Sequence, residues 1–255
     1  GVEIDQRAGS LANFALVMKA KSYNPQADIS KLQPNICVLQ NIVFTDGEIK
    51  EYMAAAGSDL FTSQLRSNLN AFAEADNFGS LITTTIPNPG ELVSELDAKV
   101  SMNSLFLSNI HPKVMRFLKQ AEFLSQKYHV VVANPPYMSG SNMNARLSQF
   151  AKDNFSNSKS DLFAMFIERC SQLVVEKCYF GMITMQSWMF LSSFEGLRKR
   201  VLDAGTIQNM AHLGSRAFDS IGGEVVSTTS FVVRNKVDAS YEGVYLRLVT
   251  GGSER

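Results

Sequence analysis

The sequence predicts an α/β protein whose doubly wound, mostly parallel sheet ends in an antiparallel hairpin and accepts a helical insertion. Short apolar runs of strand length alternate along the chain with segments of helical periodicity, which is the pattern of repeated β-α units. The last two runs are separated only by residues 214–224, a connection that fits a hairpin better than a crossover. We expect residues 1–255 to form a single domain of this kind.

The first half of the chain begins with a strand and a helix. Val2 and Ile4 alternate toward two acidic residues, and apolar positions then recur at helical spacing over 11–21. A second strand is predicted over 36–44, which is rich in β-favouring residues and ends at a turn sequence. Ala- and Leu-rich helical patterns follow, and we interpret 48–127 as a helical insertion between two strands of one sheet.

The second half contains the other strands. Residues 128–133 form a continuous apolar run, as a central parallel strand requires, and the run stops at two prolines that cannot donate to a sheet. Ser160 or Asp161 is placed to cap the next helix, which has a wide apolar stripe. The remaining predicted elements are strands over 179–185, 207–213 and 226–233 and a helix over 194–202.

Composition limits the classes of function. The chain is 45% hydrophobic and 19% charged, values of an ordinary globular protein, and no apolar run approaches the ~20 residues that a bilayer span needs. We therefore expect a cytoplasmic protein with no membrane partner. The formal net charge is zero, so a DNA-binding surface would have to be local. Three cysteines and three histidines are scattered without ligand spacing, which predicts no metal site.

Asn134-Pro135-Pro136-Tyr137 follows the 128–133 strand and is the most informative sequence in the chain. Two prolines restrict the backbone, so the Asn134 carboxamide and the Pro135 carbonyl supply hydrogen-bond acceptors side by side. Tyr137 adds a flat aromatic face. Ligands of doubly wound sheets bind at the carboxyl ends of the strands, where this loop lies. The arrangement suits a planar group that carries an amine.

The exocyclic amine of adenine is such a group. Its lone pair is delocalised into the ring, which makes it a poor nucleophile. Two acceptors that attract its hydrogens favour the tetrahedral form of the nitrogen, in which the lone pair can attack a methyl group on a sulfonium. This is electrostatic stabilisation of a developing charge together with positioning, and it needs no strong base.

The strand and the tetrapeptide together resemble the catalytic motif of the S-adenosylmethionine-dependent adenine-N6 DNA methyltransferases, [D/N/S]-P-P-[Y/F/W] after an apolar strand. The resemblance implies a Rossmann-like methyltransferase sheet with Asn134, Pro135, Pro136 and Tyr137 as catalytic residues. It also implies double-stranded DNA as partner and a target base flipped out of the helix. Tyr137 would stack on that base.

Gly1-Val2-Glu3-Ile4-Asp5 resembles the second cofactor motif of the same enzymes. The resemblance implies that Glu3 receives the ribose hydroxyls of S-adenosylmethionine, that Ile4 packs on its adenine, and that Asp5 adjoins them. Gln40, Asn41 and Asp46 are open alternatives for a further contact to the cofactor adenine. The glycine-rich loop of the first cofactor motif does not precede Glu3, so we expect a part of a larger protein that binds the cofactor poorly by itself.

The resemblance continues downstream through 160–166, 181–184 and 217–233, and it implies that Phe218 lies on the other face of the flipped base. Met138-Ser139-Gly140-Ser141 after the tetrapeptide is similar to the PglX-type methyltransferases of BREX phage-defence systems. That similarity implies a role in phage defence or restriction-modification, with other defence subunits as partners. Trp188 is interpreted as a core or loop anchor, and the basic run 198–200 as a solvated helix face.

Two other classes remain open. Methyltransferases of protein glutamine or of RNA guanine share Asn-Pro-Pro-Tyr, but they are usually compact, whereas this chain has a helical insertion and a long downstream region. A module that binds DNA or a defence partner without turnover is the third possibility, because the first cofactor motif is missing. Detection of N6-methyladenine in genomic DNA would separate the three.

Overall fold

The computed structural model describes residues 1–56, 63–99, 105–215 and 226–249. The chain divides into two compact units, Gly1–Gln126 and Lys127–Arg255. Together they contain strands and helices in alternation and a mixed five-stranded sheet, which confirms the α/β class. Of the strand pairings in the described residues, three are parallel and two are antiparallel. None of the described helices combines the length and the apolar character that a bilayer span requires.

The first unit contains one short parallel strand pair and several helices. Its elements are β1 Val2–Glu3, α1 Gln6–Tyr23, β2 Cys37–Val38, α2 Asp46–Ala56, α3 Ser63–Phe72, α4 Ala75–Phe78, α5 Pro89–Lys99 and α6 Leu105–Ser125. β1 pairs in parallel with β2, and the ladder continues one step further, where the Leu39 amide donates to the Glu3 carbonyl at 2.7 Å. The predicted strand, acidic tip and helix at the start of the chain are therefore present.

The start of α1 is set by a cap and a close contact. The Asp5 carboxylate accepts a hydrogen bond from the Ala8 amide at 2.8 Å, which satisfies one of the free amides of the first turn. Gly9 is the buried residue of α1, and a Cβ built there would lie only 2.6 Å from a methyl of Val38. Glycine at this position therefore allows the helix to approach β2.

The strand predicted over 36–44 is wrong beyond its first residues, because only Cys37–Val38 is a strand. β1 ends at Glu3, where the chain turns into α1, so a longer β2 would have no partner for its backbone. Leu39 and Ile42 are buried in irregular backbone instead, and the Ile42 amide donates to the Phe72 carbonyl at 2.9 Å. The apolar residues of 36–44 therefore contribute to the core at Leu39 and Ile42 without forming a strand, while Val43 is exposed.

The helices of the first unit surround an aromatic core. The Phe72 and Phe117 rings meet edge to face with centroids 5.0 Å apart, and Tyr52 is fully buried. α6 runs through Pro112, at the cost of one backbone hydrogen bond. The helical character expected for 48–127 is present, and its position as an insertion within one sheet stays a prediction.

The second unit is built on a five-stranded sheet. Its elements are β3 Tyr128–Ala133, α7 Ala145–Asn154, α8 Leu162–Leu173, β4 Val174–Met185, α9 Glu195–Ala204, β5 Thr206–Gly214, β6 Thr228–Arg234 and β7 Val244–Arg247. The strand order is β3-β4-β6-β5-β7, so the central position predicted for 128–133 is wrong. β3 is parallel to β4 but lies at the edge of this sheet, and its apolar Val130 and Val132 are exposed. β6 runs antiparallel to both of its neighbours, which confirms the terminal hairpin. The sequence missed β7, a short and fully exposed strand that pairs in parallel with β5.

Strand direction determines where the loops of the second unit emerge. β3 is parallel to β4, and β5 has the direction of β4 because both are antiparallel to β6. The carboxyl ends of these three strands therefore lie at the same edge of the sheet. On one face, α8, α9 and the strands enclose an apolar core that includes Phe163, Phe180 and Phe231. Residues of β3 and of the loop that follows it pack against this core.

Candidate active site

The loop after β3 has a buried residue and an exposed one next to each other. Val131 and Ala133 pack against the core of the second unit, and Pro135 is buried. Asn134 is exposed, and its carboxamide makes no hydrogen bond with any residue that the structure describes. The loop is therefore held through Pro135, since Pro136 is exposed, while the amide group predicted to act on a substrate is free to bind one.

The Tyr137 ring is partly buried and packs against α8. It meets Phe163 edge to face, with ring centroids 6.1 Å apart and an interplanar angle of 86°. Its hydroxyl is buried without a hydrogen-bond partner within the described ranges, and burial raises the pKa of this phenol. A buried hydroxyl with no partner is unfavourable.

Asp161 connects this loop to the start of α8. It caps the helix, as the sequence predicted for Ser160 or Asp161, with its Oδ1 accepting from the Phe163 amide at 3.3 Å. The same oxygen accepts from the Met138 amide at 3.2 Å. The sequence did not indicate this second bond, because the donor lies 23 residues away from the acceptor.

The loop after β4 is braced by an arginine. Arg198 on α9 donates from the same nitrogen to the carbonyls of Trp188 and Leu191, at 2.8 and 2.7 Å. Arg200 pairs at 3.4 Å with the buried carboxylate of Glu168. The interpretation of 198–200 as a solvated helix face is therefore wrong for Arg198, which is partly buried, whereas Lys199 and Arg200 are exposed. Trp188 is 2% exposed and belongs to the core, which confirms its interpretation as an anchor.

Polar and aromatic side chains adjoin at the ends of β4 and β5. Gln186, directly after β4, hydrogen-bonds His212 near the end of β5. The ring of Phe190 lies 5.8 Å from that of His212, and Phe190 is largely exposed. Within the described ranges no three His, Cys, Asp or Glu residues are grouped so that they could hold a metal ion.

In the first unit, the acidic tip after β1 is organised by its own short bonds. One carboxylate oxygen of Glu3 accepts from the amides of Ile4 and Asp5, at 2.8 and 3.1 Å. Its other oxygen has no hydrogen-bond partner among the residues described. Ile4 is 47% exposed. The tip thus offers one open carboxylate oxygen next to an open apolar surface, which fits a ribose next to a flat base.

Asp5 and the residues after β2 are more constrained. The Asp5 carboxylate is used as the cap of α1, and the Asn41 carboxamide oxygen accepts from the Asp76 amide at 3.0 Å. Gln40 is exposed directly after Leu39, while Asp46 lies in the first turn of α2. Phe218, predicted to contact the flipped base, lies outside the described residues.

Comparison with protein families agrees with the sequence motifs. Residues 1–218 match the family described as Eco57I restriction-modification methylase, and this match covers most of the chain. It includes both the acidic tip and the loop after β3.

Two curated relatives match the whole chain. It is 36% identical to an "Adenine-specific methyltransferase BrxX" of Escherichia coli O9:H4 (strain HS), of which it covers 23%. It is 38% identical to an "Adenine-specific methyltransferase PglX" of Lacticaseibacillus casei (strain Zhang), of which it covers 22%. The chain therefore spans less than a quarter of the length of either relative.

Solved structures give a more distant likeness. One is a putative class I S-adenosylmethionine-dependent methyltransferase from Listeria monocytogenes, with 13% identity and a TM-score of 0.37 over 92% of this chain and 71% of that one. The family assignment rests on the sequence matches.

Proposed function

This chain belongs to the Eco57I restriction-modification methylase family, and from that premise we propose that it is the catalytic part of a DNA adenine-N6 methyltransferase. The observation that carries the proposal is the exposed Asn134 carboxamide on a loop anchored by Pro135 at the carboxyl end of β3. The printed names of both relatives, adenine-specific methyltransferases, support adenine as the base that is modified.

The chain's own residues would act on the target amine. The Asn134 carboxamide oxygen and the Pro135 carbonyl accept hydrogen bonds from the two hydrogens of adenine N6. They favour the tetrahedral nitrogen and stabilise the positive charge that develops on it. S-adenosylmethionine, when bound, supplies a methyl group on a sulfonium. With the methyl group on N6 and S-adenosylhomocysteine as the other product, N6 would carry a positive charge and would lose one proton to water, so no strongly basic side chain is required in the loop.

We propose that the acidic tip of the first unit holds the cofactor. The open oxygen of Glu3 would accept from the ribose hydroxyls, and Ile4 would pack on the adenine of the cofactor. Asp5 would act mainly through the helix cap that keeps the tip in place. Among the residues after β2, the Asn41 carboxamide oxygen is already used by the Asp76 amide, whereas Gln40 and Asp46 are both exposed and both stay candidates for the contact to the cofactor adenine.

The target base would be flipped out of the duplex and held on aromatic surface. Extruding a base costs a few kcal/mol, which stacking on an aromatic ring, at about 1–3 kcal/mol per base, can offset. Tyr137 is the proposed platform, and its contact with Phe163 keeps the ring in one orientation. Phe218 is proposed for the opposite face of the base.

We further propose double-stranded DNA as the substrate and phage defence or restriction-modification as the setting, with other defence subunits as partners and the cytoplasm as the location. The region 139–160 supports a local DNA contact, since it carries Arg146, Lys152 and Lys159 against Asp153. Because the net charge of the whole chain is zero, binding to DNA phosphates would depend on such local basic patches.

Mass spectrometry of nucleosides would test the proposal. Cells that carry the natural full-length gene in its own locus should contain N6-methyldeoxyadenosine in their DNA, and cells with Asn134→Ala at that locus should lose it. Arg247→Ala, on the exposed edge strand β7, is a control that should retain the mark.

Three results would contradict the proposal. Methylated glutamine in protein, or methylated guanine in RNA, that disappears with Asn134→Ala would indicate a different substrate. Unmodified DNA in the wild type together with tight DNA binding by the purified protein would indicate a module without turnover. Persistence of N6-methyldeoxyadenosine in Asn134→Ala would remove the carboxamide from the mechanism.

A further inference from the structure

Two distant pieces of chain are joined immediately after the catalytic loop. The Leu162 amide donates to the Met138 carbonyl at 2.9 Å, and the Gly140 amide donates to the Ser160 carbonyl at 2.9 Å. Between these contacts, Ser139 and Asp161 form an antiparallel β-bridge. The segment 139–160 therefore leaves and returns at one point, and that point is directly beside Tyr137.

Asp161 contributes the side chain of this junction. Its Oδ1 accepts both the Met138 amide and the Phe163 amide, so one oxygen holds two backbone groups from different parts of the chain. The residue is 8% exposed, and burial is the main influence on its carboxyl, raising the pKa while the backbone donors lower it. A buried carboxylate is costly unless its oxygens are hydrogen-bonded, and these amides provide that compensation.

The two amides that donate to Asp161 belong to residues next to or within the Tyr137–Phe163 ring contact. Met138 follows Tyr137 in the chain, and Phe163 is the residue whose ring meets Tyr137 edge to face at 6.1 Å. Asp161 therefore hydrogen-bonds to the backbone next to Tyr137 and also to the helical turn that contains Phe163. Displacing the carboxylate would loosen both at once.

We propose that Asp161 is a positioning residue for methyl transfer, which clamps the chain leaving the Asn134–Tyr137 loop to the first turn of α8. The clamp does not touch the substrate. It holds the backbone of Met138, directly after the Tyr137 ring on which the base would stack. Its effect on turnover rests on the function proposed above. Misplacing a reacting group by about 1 Å can cost on the order of 10²-fold in rate.

Variants at Asp161 distinguish three contributions of its side chain: the hydrogen bond to the Met138 amide, the negative charge, and the cap of α8. Asp161→Ala removes both hydrogen bonds. Asp161→Asn keeps an acceptor oxygen of the same reach without the charge, and Asn is an equally good cap. Asp161→Ser keeps the cap but is one bond shorter, so it folds with α8 capped and leaves Met138 out of reach. Asn144→Ala is the matched control, because it removes the cap of α7 within 139–160, where the Asn144 side chain accepts from the Leu147 amide at 2.9 Å.

Hydrogen–deuterium exchange of the natural full-length protein tests the clamp without any assay of activity. The Met138 amide should exchange at least about tenfold faster in Asp161→Ala and Asp161→Ser than in the wild type, since a hydrogen bond to a charged acceptor is lost. Asp161→Asn and Asn144→Ala should protect this amide as the wild type does. Equal protection in Asp161→Ser and the wild type would overturn the clamp.

Turnover tests the consequence. We expect kcat for adenine methylation to fall about 10²-fold in Asp161→Ala, as a misplaced reacting group predicts, with the KM for DNA and the Kd for S-adenosylhomocysteine nearly unchanged. Asp161→Asn should restore most of the rate. A loss of rate no larger than that of Asn144→Ala, or a failure of Asp161→Asn to restore it, would overturn the positioning role. A wild-type protein without methylation would instead overturn the proposed function, and the exchange measurement would still decide the clamp.

Discussion

The acidic tip of the first unit and the catalytic loop of the second unit are organised in opposite ways. The side-chain hydrogen bonds of Glu3 and Asp5 span one to three residues. The hydrogen bond that Asp161 makes to the catalytic-loop segment spans 23 residues, and the ring contact of Tyr137 reaches a different helix. One region is built by local backbone chemistry, and the other depends on where a distant helix begins.

This difference predicts how the two regions respond to mutation. A change in the acidic tip should alter ligand affinity and leave the second unit intact, because few of its bonds extend beyond its own residues. A change in or behind the catalytic loop should alter turnover, since the loop presents its groups from a packed scaffold. The predictions below test this separation, from the largest expected effect to the smallest.

Asn134→Ala should lower turnover most. Its carboxamide is exposed and unengaged among the described residues, so removing it should leave the fold unchanged while one acceptor for the target amine is lost. Removal of one preorganised hydrogen-bonding group from an active site typically costs about 10²–10³ in kcat. Steady-state kinetics measures this loss, and calorimetric titration with S-adenosylhomocysteine should give a nearly unchanged Kd. A collapse of cofactor binding would show that the two regions are not separable.

Tyr137→Ala should lower methylation more than about tenfold, because a stacking surface worth about 1–3 kcal/mol per base is removed. Tyr137→Phe should retain much of the activity. Its free energy of unfolding should be unchanged or raised by about 1 kcal/mol, because the hydroxyl that it lacks is buried without a partner in the described structure. Activity assays and chemical denaturation check both variants. Equal loss of activity in the two would mean that the hydroxyl, and not the ring, is required.

Glu3→Gln should weaken binding of S-adenosylhomocysteine about tenfold, since hydrogen bonds to a charged group are worth about 1.5–3 kcal/mol. The Gln carbonyl can still accept from the Ile4 and Asp5 amides, so the tip should keep its shape and the loss should report the charge. Asp5→Asn is the matched control: it retains the cap of α1 and should matter less. A larger effect of Asp5→Asn in a folded protein would reverse the assignment of the two carboxylates.

Gly9→Ala should have the smallest effect on turnover and act on stability instead. A Cβ at residue 9 would lie 2.6 Å from a Val38 methyl, and such overpacking typically costs about 1–3 kcal/mol. Gly47→Ala in α2 is the control, because its Cβ would have only Thr45 at 3.9 Å and should stabilise the helix slightly. Denaturation curves of both variants give the comparison. An unchanged stability of Gly9→Ala would mean that α1 and β2 can move apart without cost.

Much of the fold could be predicted from periodicity and from turn chemistry. The strand before Asn134 was located correctly from six consecutive residues that two prolines bring to an end. Its expected central and buried position was wrong, because β3 lies at the edge of the five-stranded sheet with Val130 and Val132 exposed. The hairpin of β5 and β6 followed from the short connection between two apolar runs. The same reasoning failed at 36–44, where apolar residues are buried without forming a strand because β1 offers no longer partner.

The candidate site divides in the same way. Asn134 and Tyr137 were selected from the chemistry that an amine requires, and Glu3 and Ile4 only from the resemblance of 1–5 to a cofactor motif. The partners that hold those groups were not predictable. Arg198 illustrates this, since a basic residue in a helix reads as solvated until its carbonyl acceptors at Trp188 and Leu191 are known.

The amino-acid sequence alone was sufficient to predict the α/β class, to select 134–137 as the candidate catalytic tetrapeptide and to place a helix cap at Ser160 or Asp161, because each depends on residues that are neighbours in the chain. The tertiary structure was needed to show that Asp161 grips the segment behind Tyr137, that Phe163 packs against its ring, and that the Tyr137 hydroxyl is buried without a partner in the described ranges. These features depend on where separate segments meet. A hydrogen bond or a ring contact between distant residues is set by packing of the whole unit, and no local pattern encodes it.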